Sequence, residues 1–256
     1  MKHIFLLFIL FSMLLKAATI TLIAEENCPY YCTDTAKDKG FVVDIASHVF
    51  TELGYKVKYV TAESHEKALE GIREKKYDAI LGASPKETPD LIFAKATLSY
   101  AYDVILVPKR SKWKYSSPAS LNTLTLGVVQ DRVYDDPINE HIAKHKEDPT
   151  KIQMTEGKYA MKHNLKKLRY EKVNALIDNQ HSLQYFYAQQ KKLFPFKVAK
   201  KLSPTAVKIA FSPTDYKAPE YARKFSRGLR NLKGTKEMAL ILKKYGLIEK
   251  NIKSPK

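Results

Sequence analysis

Two stretches constrain what this chain can fold into: Gly40-Phe41-Val42-Val43-Asp44-Ile45-Ala46 and Tyr77-Asp78-Ala79-Ile80-Leu81-Gly82-Ala83. In the first, Asp44 is placed to cap free backbone N–H groups, and Ile45, Val49, Phe50 and Leu53 follow at helical spacing. The second is a short apolar run behind the helix end Gly71-Ile72-Arg73-Glu74-Lys75-Lys76, and it predicts a buried strand that runs into a polar loop. Lys172-Val173-Asn174-Ala175-Leu176-Ile177 echoes Lys76-Tyr77-Asp78-Ala79-Ile80-Leu81, so the same kind of helix-strand unit recurs later in the chain. This echo suits an α/β chain with two similar lobes.

The rest of the pattern fills in that frame. Strands are predicted over 19–24, 55–60, 104–107, 121–129, 172–177, 198–203 and 207–211. Helices are predicted over 44–53, 66–74, 137–146, 164–169, 182–192, 219–232 and 235–245. His141 and His145 share one helical face at i and i+4, but His-Ile-Ala-Lys-His lacks the glutamate of a zinc-protease helix and no third ligand is indicated, so a surface pair is expected and no metal. No nucleophile elbow or Gly-rich phosphate loop is present, and no cofactor or catalytic residue is assigned.

Composition sets the compartment. Lys2 and His3 precede an apolar run over 4–15, and Ala17 and Ala18 follow. That run is too short to span a bilayer and has the layout of a secretory signal peptide over 1–18, which predicts a periplasmic protein. Neither cysteine sits where a lipid anchor would be attached. In an oxidising compartment Cys28 and Cys32, in Cys28-Pro29-Tyr30-Tyr31-Cys32, are expected to form a disulfide; three intervening residues are one too many for a thioredoxin-like motif. The formal net charge is +17, and loss of Lys2 and Lys16 with the leader leaves 42 basic against 27 acidic residues. The lysines are scattered along the chain. Lys112-Trp113-Lys114-Tyr115 interleaves cations with aromatic rings, but no nucleic-acid module is recognisable and no nucleic-acid partner is expected.

The Gly-Phe-x-Val-Asp-Ile helix start, the Lys-Tyr-Asp-Ala-Ile strand and the terminal Lys236 to Gly246 helix resemble periplasmic solute-binding proteins of family 3, which handle polar amino acids. The resemblance implies a periplasmic binding protein type II fold: two α/β lobes joined by two hinge crossings, near 98–102 and 203–206. The first lobe would take 19–98 and 205–256, the second 99–204. It also implies a monomer that closes over its ligand and presents the closed shape to an ABC permease.

Site residues follow from the same resemblance. The loop after the first strand offers Glu25, Tyr30 and Tyr31, with Pro29-Tyr30 standing where the family has a Pro-aromatic pair. Ser64 and His65 occupy a place where the family often has an aromatic residue, and His65 is a candidate contact. In the loop 82–89 the family carries Ser or Thr and then an arginine whose fork grips a carboxylate; here Ser84 is matched but only Lys86 supplies a cation. In the second lobe Gln130 and Arg132 stand at the carboxylate-binding turn, and Arg132 is a substitute for the missing arginine unless it pairs with Asp131, Asp135 or Asp136. Asp178 and Asn179 straddle the position of an amine-binding aspartate, and strand alternation allows only one of them to face the cleft. A small polar solute, with an anionic group favoured by Lys86 and Arg132, is the expected ligand. The fold also hosts cyclic-acid dehydratases, murein lytic enzymes and sensor modules, so an enzyme and a sensor without transport stand as the alternatives.

Overall fold

The computed structural model describes residues 17–130, 132–157 and 159–253. Of the expected leader, only Ala17 and Ala18 fall within the described residues. Two mixed five-stranded sheets, each flanked by helices on both faces, form two lobes.

The first lobe is built from β1 (Thr19–Glu25), α1 (Phe41–Glu52), β2 (Lys56–Ala62), α2 (His65–Arg73), β3 (Ala79–Leu81) and β4 (Ile92–Phe93). The chain then leaves along β5 (Ser99–Pro108). The second lobe adds a 3-10 turn (Pro118–Thr123), β6 (Leu126–Val129), α3 (Asp136–His145), β7 (Ile152–Thr155), α4 (Ala160–Arg169), β8 (Ala175–Asn179) and α5 (Gln180–Gln189). The return runs along β9 (Phe196–Val207) to β10 (Ile209–Phe211), and α6 (Ala218–Leu232), α7 (Lys236–Lys243) and α8 (Glu249–Ile252) complete the first lobe.

Strand order is β2-β1-β3-β10-β4 in one sheet and β7-β6-β8-β5-β9 in the other. Period-two alternation places the two cores. Along β5, Val104 and Leu106 turn toward α4 and α5, while Ile105 and Val107 turn toward the 3-10 turn and α3. In the first lobe α1, α6 and α7 bury Phe41, Ile45, Phe50, Phe225 and Leu242 on one face, and α2 buries Ala68 and Ile72 on the other. The crossings lie side by side as an antiparallel pair, Ser99 with Val207 through Tyr102 with Pro204, and the register shifts between Tyr102 and Val104, at Asp103. Among the described residues no helix is long and apolar enough to cross a membrane.

Several local expectations change. The first helix starts at Phe41, so Asp44 lies inside it and caps nothing; its carboxylate instead accepts the Tyr245 hydroxyl at 3.0 Å and pairs with Lys244. The strand expected over 121–129 divides, because Pro118 and Ser120 favour a 3-10 turn before β6. The strand expected over 172–177 begins at Ala175 and runs directly into α5. The short strand β7 buries only Ile152, with Met154 exposed, so its apolar signal was too brief to read as a strand. His141 is buried, packed on His145 with ring centroids 4.8 Å apart, and not part of a surface pair. The Trp113 indole donates to the Ser120 carbonyl at 3.3 Å and packs on the second lobe's core.

Candidate functional site between the lobes

The carboxyl ends of β1, β6 and β8 deliver their loops to the space between the lobes, where ligands of open α/β sheets are held. β1 leads into the Cys28–Cys32 loop, closed by the disulfide. Its Tyr30 is 3 % exposed and projects across to the second lobe, where its hydroxyl donates to Asn179 Oδ1 at 3.1 Å. Burial pushes this phenol far above its usual range, so it is a neutral donor throughout the physiological range. Tyr31 is buried, with its hydroxyl against Gly82 at the start of the 82–89 loop.

Asn179 is both strand end and helix cap. Its Oδ1 accepts from the backbone N–H groups of His181 at 3.0 Å and Ser182 at 3.1 Å as well as from Tyr30. At this end of β8, Asn179 reaches across to the first lobe through Tyr30, whereas the Asp178 carboxylate turns to Arg132 within the second lobe.

Asp178 Oδ1 receives Arg132 Nη1 at 2.7 Å and the Asn179 N–H at 2.7 Å. Arg132 Nη2 pairs with Asp103, and its guanidinium lies 5.5 Å from the Tyr134 ring centroid. Among the described residues the guanidinium pairs with Asp103 and Asp178, brought in from β5 and β8, and not with Asp135 or Asp136; Asp131 lies outside the described residues. Burial pushes the Asp103 carboxyl up to about 6, with Arg132 opposing and Asp178 and Asp135 adding to the rise. Burial raises Asp178 as well, against the pull of Arg132. Its second oxygen, Oδ2, is buried without a hydrogen-bond partner. The cluster, buried at Asp178 and partly exposed at Asp103 and Arg132, thus carries two potential negative charges and one positive.

Other predicted residues lie differently. Glu25 and Lys86 are exposed, and Ser84 and His65 are half-buried. Ser64 caps α2 by accepting the Lys67 N–H, which leaves His65 as the first helical residue. The Ser84 carbonyl accepts from Glu87 and Thr88, which folds the 82–89 loop on itself. The Gln130 N–H donates to the Thr155 carbonyl at the end of β6.

Sequence reasoning missed Asp103, Tyr134 and His181. The first had a signal, since an acid between Tyr102 and Val104 in an apolar strand is expensive to bury without a partner. His181 joins the lobes: its ring lies 5.4 Å from Tyr30 and 5.7 Å from Phe41, and its Nε2 donates to the Asn251 carbonyl at 3.0 Å, which fixes the tautomer. Burial lowers its pKa to about 4, so it is neutral. On the same helix the Tyr185 ring meets Tyr245 and the Ser182 hydroxyl reaches the Cys28 carbonyl. The lobes touch directly. A cavity of about 670 Å³ on the outer face of the first lobe is lined by His48, Glu52 and Arg227, and one of about 390 Å³ beside the hinge by Tyr102, Lys201 and Pro204. Neither is lined by Tyr30, Arg132, Asp178 or Asn179.

Similar architectures are known. A domain assigned as the second substrate-binding domain of an amino acid ABC transporter from Streptococcus pneumoniae superposes with a TM-score of 0.68 at 18% identity, covering 90% of this chain and 100% of that one. The second substrate-binding domain of Lactococcus lactis GlnP, in its open conformation, gives 0.66 at 18% identity, covering 90% and 96%. An ancestral cationic amino acid solute-binding protein, AncCDT-1, gives 0.67 at 17% identity, covering 90% and 96%. At such identities these likenesses establish the two-lobed type II fold. No curated protein matches the chain. The sequence model of the bacterial extracellular solute-binding proteins, family 3, matches residues 20–248, and the chain belongs to that family.

Proposed function

We propose that this protein binds a small polar solute in the periplasm by closing its two lobes, as a monomer, and delivers it to an ABC permease in the inner membrane. One observation carries the reading: in a chain of this family, Tyr30 of the first lobe meets Asn179 of the second beside a partly buried, incompletely neutralised charge cluster. Closure brings the two halves of the site together, so a solute that contacts both shifts the population toward the closed form. The expected anionic preference is not kept. Both terminal nitrogens of Arg132 already donate to carboxylates, and Lys86 is exposed on its loop.

The test is a thermal-shift screen of the purified protein against amino acids, dicarboxylates, amines and small peptides, with hits followed by small-angle scattering. A ligand at about 100 times its Kd adds about 2.7 kcal/mol, and bound protein should have a smaller radius of gyration. Silence from every class would remove the solute-binding reading.

An enzyme reading has one observation in its favour, a partly exposed acid, Asp103, held near 6 mainly by desolvation. AncCDT-1 is also described as a precursor of cyclohexadienyl dehydratase. Incubation with a cyclohexadienyl acid separates the two, since a binding protein leaves it unchanged.

A further inference from the structure

We infer that the solute is an organic cation without a carboxylate, an amine or a guanidine, and that Asp103 and Asp178 recognise it. This deepens the solute-binding reading and rests on it. Two carboxylates, Asp178 buried and Asp103 partly exposed, share one guanidinium, so with both ionised the cluster carries an excess negative charge. Asp178 is 3 % exposed, and its Oδ2 is buried without a hydrogen-bond partner. A buried carboxylate oxygen left in that state is costly and is best satisfied by an N–H donor that brings positive charge.

The groups around Asp103 favour a donor. It faces Arg132, Asp178 and Asp135, with the neutral phenols of Tyr30 and Tyr134 beside them. A carboxylate on the ligand would meet that negative excess, with Arg132 already clamped by two acids and stacked near Tyr134. A formal net charge of +17 argues the other way at long range. Exposed charges beyond the screening length of about 8 Å at physiological salt contribute little, whereas the clustered pair acts at contact distance. The local field therefore decides. Burial is the main cause that raises the Asp103 carboxyl to about 6, and the neighbouring Asp178 and Asp135 add to the rise against the pull of Arg132.

Two matched pairs of probes isolate the carboxylate: agmatine with arginine, and putrescine with ornithine, with glutarate as the anion. Calorimetric titration at pH 7.5 should show the carboxylate-free member of at least one pair binding about 10-fold tighter or more than its partner. Asp103→Asn keeps the side-chain shape and removes the excess charge, and should weaken that binding about 10-fold or more while the ligand-free protein remains folded by circular dichroism. Binding of glutarate, or of arginine or ornithine in preference to the amine, overturns the cation and leaves the solute-binding reading standing. So does silence from all five probes together with a hit among other classes in the wider screen. Undiminished amine binding by Asp103→Asn overturns the assigned recognition, and silence from every class removes both readings.

Discussion

Tyr30 and Asn179, 149 positions apart, are joined by a hydrogen bond of 3.1 Å that runs from the first lobe to the second. The same amide oxygen caps α5, so the bond ties the loop after β1 to the start of the helix that carries most of the described interlobe contacts.

Tyr30→Phe removes that bond and keeps the ring packing against Phe41 and His181. Asn179 retains its two backbone donors, so the loss should be about 1 kcal/mol, expressed mainly in the balance between closed and open lobes. A larger radius of gyration in solution scattering, with a small drop in the urea midpoint, is the expected result. Identical scattering and midpoint would show that the bond does not hold the lobes.

Arg132→Ala leaves the buried Asp178 and the partly exposed Asp103 without their cation. Breaking such a cluster from one side costs about 3–5 kcal/mol near neutral pH. Both carboxyls are pushed upward by burial, so protonation should relieve much of the cost near pH 5. Urea unfolding at the two pH values checks this; an equal loss at both would mean that the defect is packing and not charge.

A partly exposed acid and a buried histidine oppose each other between pH 4 and 6. Asp103 titrates near 6 when folded, above its unfolded value, so the native state holds the extra proton and this contribution to stability falls as pH rises through that window. His181 titrates near 4 when folded, below its unfolded value, so its contribution is present above about pH 6.5 and is lost as pH falls toward 4. Each amounts to about 3 kcal/mol, and together they flatten the profile. Asp103→Asn should expose the histidine limb as a stability that declines from pH 6.5 to 4. A variant profile parallel to that of the parent would contradict this.

Gly246 has φ +68°, and a Cβ there would lie 2.4 Å from Ala188 Cβ in the other lobe. Gly234 has φ +81° with nothing within 4 Å. Both alanine variants incur the left-handed backbone cost of about 1 kcal/mol, but Gly246→Ala adds a clash of about 1–3 kcal/mol and should force α5 away from the first lobe. Calorimetric melting with scattering distinguishes them: expansion is expected for position 246 and not for 234.

Much of the architecture was legible because its cause is local. The apolar spacing after Gly40 marks α1 to within three residues at its start, and the Tyr77 and Val173 runs mark strands in the two sheets because a buried strand needs an unbroken apolar stretch. The proximity of Cys28 and Cys32 was enough to expect the disulfide that the structure contains. β7 left little trace, since a four-residue edge strand that buries one side chain, Ile152, and otherwise relies on pairing with β6 is too short to show a period.

By itself, then, the sequence determined the helix and strand periods, and with them the α/β class and a chain that repeats its unit in a second lobe. Which charges meet was decided only by tertiary structure. Arg132 is near Asp135 and Asp136 in sequence, yet its partners come from β5 and β8, because sheet order and the register shift at Asp103 bring 103, 132 and 178 together. Asn179 takes two roles for a similar reason: β8 ends where α5 begins, and the polarity of that junction faces the other lobe. Apolar periodicity is written every two or four residues, whereas an ion pair needs only that two distant atoms arrive within a few ångströms, and only the folded topology sets that distance.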